Sequence, residues 1–172
     1  MSKMTNNDYE LLEMAKSVRL NDSSFVESRA AALYFKTLFG IDFSRNDLCF
    51  TNSALNYGYA IVRAIVARAL VGAGLIPTVG VHHHNRYDAY CLADDIMEPY
   101  RPYVDRLVID IVNTGIPEEL DVNVKRVLLE LPVKEVIIDG IRRPLMLAVS
   151  QTVNSLQKCF SGSSRKVIYP SM

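Results

Sequence analysis

The chain has 172 residues, 49% of them apolar and 22% charged, and can bury roughly 70% of its unfolded surface, which excludes a disordered or low-complexity protein. Its 19 Lys and Arg balance 19 Asp and Glu. The zero net charge argues against a dedicated nucleic-acid scavenger and leaves room for an enzyme whose basic face is local.

Three widely spaced cysteines (Cys49, Cys91, Cys159) with no CxxC pair argue against a disulfide framework and fit a reducing cytoplasm. Met1 to Asp8 is polar, so no secretory leader is read there. Asp8 to Ser17, with Leu11, Leu12 and Ala15, reads as a short helix. Ser24-Phe25-Val26-Glu27 matches a capping box opening a helix to about Phe39, with Phe25, Ala32, Phe35 and Phe39 along one stripe and Gly40 as the stop. Ile41 to Phe50 reads as loop. A long helix follows from about Asn52 to Val71, apolar nearly all round, which predicts the least exposed element of the core. The apolar run from Tyr57 to Ile76 is broken by Arg63 and Arg68, each costing about 2.5–3.5 kcal/mol at a bilayer centre, so no membrane span is expected.

Gly72, Gly74, Pro77 and Gly80 break the chain before a histidine triplet. Tyr87 to Met97 is helical in period, and Pro99 and Pro102 force an end or a kink. Tyr103 to Val112 and Asp121 to Leu131 read as further helices. Val133 to Ile138 is β-branched and runs into Asp139-Gly140, a hairpin turn pair. Pro144 opens the last helix, with Leu145, Val149, Val153 (or Thr152), Leu156 and Phe160 at i+3/i+4 spacing and Gly162 as its stop. Lys166 to Tyr169 reads as a terminal strand. The fold class is mainly α: one helical domain over residues 1–172 with one small β-hairpin.

Chemistry concentrates in His82-His83-His84 followed by Asp94, Asp95 and Glu98. Imidazole and carboxylates ligate divalent metals, and carboxylate oxygens favour Mg2+ or Mn2+. Asp95 and Glu98, three apart, share a helix face and can address one ion. The same residue types fit a blander arrangement, a solvated acidic helix face beside an exposed loop. Glu27 has its own alternative as the reciprocal member of the capping box. No phosphate-binding glycine loop occurs, since Gly72-Ala73-Gly74 follows a helix instead of opening one. A closed zinc site is disfavoured by the absence of a cysteine pair or His-x3-His spacing.

Leu55-Asn56-Tyr57-Gly58-Tyr59-Ala60, Gly80-Val81-His82-His83-His84-Asn85-Arg86-Tyr87 and Leu92-Ala93-Asp94-Asp95-Ile96-Met97-Glu98-Pro99-Tyr100-Arg101-Pro102 resemble one family. It is the CRISPR-associated integrase of spacer acquisition, the Cas protein numbered one, in its type II lineage. Val26-Glu27-Ser28-Arg29-Ala30 looks like the segment carrying that family's first catalytic glutamate. Pro144 to Thr152 and Ile168-Tyr169-Pro170 look like its closing helix and tail. The resemblance runs from Asp8 onward.

What the resemblance implies is an endonuclease and integrase bound to Mg2+ or Mn2+ through Glu27, His83 and Glu98, with Asp95 a supporting acid one turn earlier. His82 and His84 would be neighbours of the ligand. Its reaction would be attack by the 3′-hydroxyl of a captured DNA fragment on a repeat phosphodiester. Its partners would be double-stranded DNA and the Cas protein numbered two, in a prokaryotic cytoplasm, and the full-length form would be a homodimer. Near the motifs, Arg29, Arg86, Arg101 and Arg106 are candidates for DNA contact. Family members begin with a β-rich domain of about a hundred residues, a domain-sized unit that is missing here. Ser28 stands where glycine is common, and Leu48 to Asn52 departs from the usual Pro-containing approach to the long helix. The competing reading is a catalytically silent, truncated assembly module of the adaptation complex.

Overall fold

A computed structural model describes residues 8–18, 25–115, 117 and 119–171. Among the described residues, seven helices run in chain order as α1 (Asp8–Ser17), α2 (Val26–Phe39), α3 (Phe50–Gly72), α4 (Cys91–Met97), α5 (Arg101–Asn113), α6 (Val122–Leu128) and α7 (Leu145–Phe160). Three short strands, β1 (Glu135–Ile138), β2 (Ile141–Pro144) and β3 (Pro170–Ser171), form one antiparallel sheet in the order β2-β1-β3. The mainly α expectation holds.

The long helix α3 organises the molecule, packing against α4, α5, α6 and α7. It is also long and apolar enough, by length and composition, to cross a bilayer. Its buried positions, Ala54, Leu55, Val62, Ile65, Val66 and Leu70 among them, lie instead against protein. Gly58 makes the crossing with α5 possible: a Cβ there would overlap Val104 Cγ1. Yet α3 is not the least exposed element. Eleven of its 23 residues are buried, against five of seven in α4. Apolar character all round a helix does not by itself enclose it, and Val71 remains 63% exposed. Arg68 is exposed. Arg63 is half-buried and paired, its Nε donating to Asp94 at 2.7 Å and its Nη2 reaching Asp88 at 3.2 Å.

Other boundaries differ for local reasons. The helix expected from Tyr87 begins only at Cys91. Asn85 and Asp88 capture the backbone N–H groups of Tyr87 (3.0 Å) and Tyr90 (2.8 Å), the Asx turns that compete with helix. As expected, the α-helix ends at Met97 before Pro99, and Glu98–Tyr100 then forms a single 3-10 turn with Pro in its first positions, where no N–H is needed. That turn hands α4 directly to α5. The expected stripe on α2 holds only in part, at Phe35, which is buried, and Phe39, which packs against the core. Phe25 and Ala32 are exposed, while Val26, Tyr34 and Phe35 are buried. Ser24 of the expected capping box lies outside the described residues.

Asp139 and Gly140 take φ of 53° and 75°, the left-handed pair a two-residue hairpin turn needs. The register sets Val136 opposite Arg143 and Ile138 opposite Ile141. The terminal strand expected at Lys166 to Tyr169 forms one step later, at Pro170–Ser171, so the sheet has a third strand beyond the hairpin. The tail is pinned on both sides of it. The Ile168 N–H donates to Ser155 Oγ on α7 at 2.9 Å, and Tyr103 Oη on α5 donates to the Ser171 carbonyl at 3.1 Å.

Candidate functional site

A cavity of about 560 Å³ opens where α1, α2, α3, the histidine loop and the α4–α5 joint meet. Its polar side is Glu27, His82, His83, Glu98, Arg101 and Asp105. Leu11, Leu12, Met14, Ala15 and Val18 supply an apolar wall from α1 and the residue after it. The sequence-expected trio Glu27, His83 and Glu98 therefore lines one cavity, brought there from three separate parts of the chain.

Asp95 builds the histidine loop. Its side chain is 8% exposed and accepts backbone N–H groups from Val81 (2.6 Å), His82 (3.0 Å) and His83 (3.1 Å). His83 Nδ1 lies 2.6 Å from Asp95 Oδ1. Burial alone would raise Asp95, but the His82 N–H, the His83 ring, the His83 N–H and the Val81 N–H outweigh it and hold the carboxyl below its usual range. An ionised carboxylate only accepts, so in the neutral ring Nδ1 carries the proton and Nε2 is left with the lone pair. Gly80 lets the loop close this tightly: a Cβ there would overlap the His83 carbonyl and come within 3.1 Å of Asp95 Oδ2.

Glu98 sits at the α4–α5 joint with Oε1 3.2 Å from Arg101 Nη2. Burial raises its pKa above the usual value, Arg101 and His83 pull it back, and Asp94 and Asp95 push it further up. Glu27 stands in the first turn of α2, its Oε2 4.0 Å from His82 Nε2. Two imidazoles of the triplet, not one, thus line the cavity, and His84 is exposed outside its lining.

Among the described residues, no three His, Cys, Asp or Glu side chains close on a single point. The physical reason is charge: carboxylates repel one another and turn to the cationic neighbours at hand, as Glu98 does to Arg101. The donor chemistry nevertheless fits a divalent cation. Glu27 and Glu98 offer carboxylate oxygens, and His83 offers an Nε2 fixed from behind by a carboxylate, the usual support for a metal-binding histidine. Asp94, part of the acidic cluster in the sequence, points away into its pair with Arg63. Of the arginine candidates, Arg101 lines the cavity. Arg29 is exposed outside the lining, Arg86 lies over the Tyr87 ring, and Arg106 approaches Asp110 at 3.7 Å.

Sequence reading missed Asp105. It is fully buried, accepting from Tyr34 Oη at 2.8 Å and from Tyr59 Oη. Burial pushes its pKa up to about 6, against the lowering by Tyr59, Tyr34, Arg101 and Arg45. In sequence it looked like any acid on an amphipathic helix; its place one turn after Arg101 was the only signal. Because the folded pKa lies above the ordinary 3.8, the folded state holds a proton that the unfolded chain has lost. This group therefore adds stability as pH falls from about 6 towards 4, by roughly 2–3 kcal/mol, and adds none above that window. Urea melts at pH 4 to 7 should show that difference between the wild type and Asp105→Asn, with the variant more stable at pH 7. A variant less stable than the wild type at pH 7 contradicts the assignment.

In class this is a helical domain with carboxylates and imidazoles around one cavity, and solved structures share its fold. It superposes on a casposase bound to integration product with a TM-score of 0.77 at 23% identity, covering 94% of this chain and 56% of that one. A Cas1 protein from Thermotoga maritima gives 0.75 at 18% identity, covering 90% and 60%. The chain belongs to the CRISPR associated protein Cas1 family, whose pattern matches residues 6–141. It is 38% identical over 148 residues to the CRISPR-associated endonuclease Cas1 of Neisseria meningitidis serogroup C, covering 86% of this chain and 49% of that protein. It is 37% identical over 110 residues to a CRISPR-associated endonuclease Cas1 of Francisella tularensis subsp. novicida, covering 58% and 34%. The chain thus spans about half, or less, of these relatives.

Proposed function

We propose that this chain is the catalytic part of a metal-dependent DNA endonuclease and integrase that inserts captured fragments into a CRISPR array. The single observation that carries the reading is the convergence of Glu27, His83 and Glu98 on one cavity, with Asp95 fixing the His83 ring from behind. The names of the relatives, endonucleases and a casposase, agree with it.

Glu27, His83 Nε2 and Glu98 would hold Mg2+ or Mn2+ in this reading. The bound ion supplies charge neutralisation at the phosphate and activation of the attacking oxygen. The chain's own residues do the rest. Asp95 keeps the proton on His83 Nδ1, Arg101 offers a guanidinium beside Glu98, and α1 limits water at the apolar side. The substrates are double-stranded DNA, namely a fragment with a 3′-hydroxyl and a repeat phosphodiester. The working partner is the Cas protein numbered two, the setting a prokaryotic cytoplasm, and the full-length form a homodimer. A silent assembly module is the second reading, favoured by the pairing of Glu98 with Arg101.

Strand transfer with Mn2+, with and without the Cas protein numbered two, tests the choice. Product that vanishes with EDTA supports the enzyme. No product under any pairing, with DNA and partner still bound, supports the assembly module. Duplex binding by the chain alone is expected to be weak, with each phosphate contact adding about 0.9 to the slope of log affinity against log salt. Anisotropy across a KCl series measures it, and tight salt-independent binding contradicts the reading.

A further inference from the structure

Resting on that reading of the cavity, we infer that Tyr34, Tyr59 and Asp105 form a buried brace that positions the Arg101 guanidinium beside Glu98 to contact a DNA phosphate. The three act through Arg101 and are positioning residues.

Asp105 follows Arg101 by one turn of α5, so both side chains leave the same face. Tyr34 comes from α2 and Tyr59 from α3, and both hydroxyls donate to the one carboxylate, tying three helices at a fully buried point. The Tyr59 ring then serves as a platform. The Arg101 guanidinium lies 5.0 Å from its centroid, and that of Arg45 lies 5.7 Å away. Arg45 is itself tethered, through Nη2, to Asn56 Oδ1 at 2.7 Å, and through Nη1 to Asn52. Among the described residues, Arg101 has no such amide tether. Its Nη2 reaches Glu98 at 3.2 Å, and its buried Nε has no acceptor among the described residues. What holds the group is stacking on Tyr59 and the charges of Asp105 and Glu98.

That arrangement explains why the buried group is an acid. A neutral amide at position 105 would also bond to the two tyrosines, and without the stability cost that the raised pKa of Asp105 implies. The charge adds an electrostatic pull on Arg101. Once Glu98 is engaged elsewhere in the cavity, the ring and Asp105 still keep the guanidinium there, its planar donors available to phosphate oxygens. The side chain is 35% exposed, enough to be reached.

The test uses the full chain, a labelled DNA duplex and EDTA, and reads the slope of log affinity against log KCl. Arg101→Ala should lower the slope by about 0.9, the share of one phosphate contact. Tyr59→Leu should lower it as much, and the double variant no further than Arg101→Ala alone, because the two substitutions remove one contact. Tyr59→Phe, which keeps the ring, should retain most of the wild-type slope. Where Tyr59→Leu loses its helical circular dichroism, Asp105→Asn takes its place: it should stay folded at pH 7 yet lower the slope. A wild-type slope in Asp105→Asn and in folded Tyr59→Leu, beside a lowered slope in Arg101→Ala, overturns the brace alone. An unchanged slope in Arg101→Ala overturns the phosphate contact and the brace together. Neither result touches the metal reading, which the Mn2+ assay judges separately.

Discussion

His83→Ala is expected to abolish Mn2+-dependent strand transfer, a loss beyond the roughly 10–100-fold that removal of a metal ligand's outer partner costs. The ring is held by Asp95 at 2.6 Å, so its Nε2 is presented in one orientation, and alanine removes that oriented donor. His82→Ala should cost only a few-fold. That ring lines the same cavity, but its Nε2 stands 4.0 Å from Glu27 Oε2, outside hydrogen-bond range, and its side chain is 64% exposed. His84→Ala should behave as wild type, because His84 is exposed outside the lining. Initial rates of strand transfer on one duplex, with Mn2+ binding followed alongside, give the ranking. Three equal losses would mean that the triplet works as a unit, and three wild-type rates would favour the assembly module.

The helices were legible where period and punctuation agreed. Asp8–Ser17 and the Gly40 stop needed no tertiary information, and Asp139-Gly140 announced its hairpin because few residue pairs accept two positive φ angles. The misplaced start of α4 has a local cause. Asn85 and Asp88 side chains compete for backbone N–H groups, and periodicity is blind to that competition. The sorting of acids was less legible. Asp94, Asp95 and Glu98 are close in sequence yet face Arg63, the histidine loop and Arg101 respectively. Those partners come from α3, from a loop and from α5, so the division depends on packing that spacing does not encode. Asp105 was invisible for the same reason, since its two tyrosines are 71 and 46 residues away.

Asp95→Asn should lower strand transfer and Mn2+ affinity about 10–100-fold while leaving the helical core folded. The carboxylate accepts from four donors, three of them backbone N–H groups of Val81, His82 and His83. An amide has one acceptor oxygen, so its NH2 meets an N–H donor head-on, and each buried donor left unmatched costs about 1–3 kcal/mol. The loop around it is exposed, so this cost loosens the loop and frees the His83 ring without unfolding the core. Gly80→Ala attacks the same loop from the other side, where a Cβ would overlap the His83 carbonyl, and should give the same phenotype with every donor and acceptor intact. Asp94→Asn provides the contrast. Its carboxylate pairs with Arg63, away from the cavity, so it should lower the melting temperature and keep strand transfer within a few-fold of wild type. If Asp95→Asn keeps the wild-type rate and Mn2+ affinity, the ring needs no carboxylate behind it. If Asp94→Asn shows the larger loss in activity, the acids have been assigned to the wrong partners.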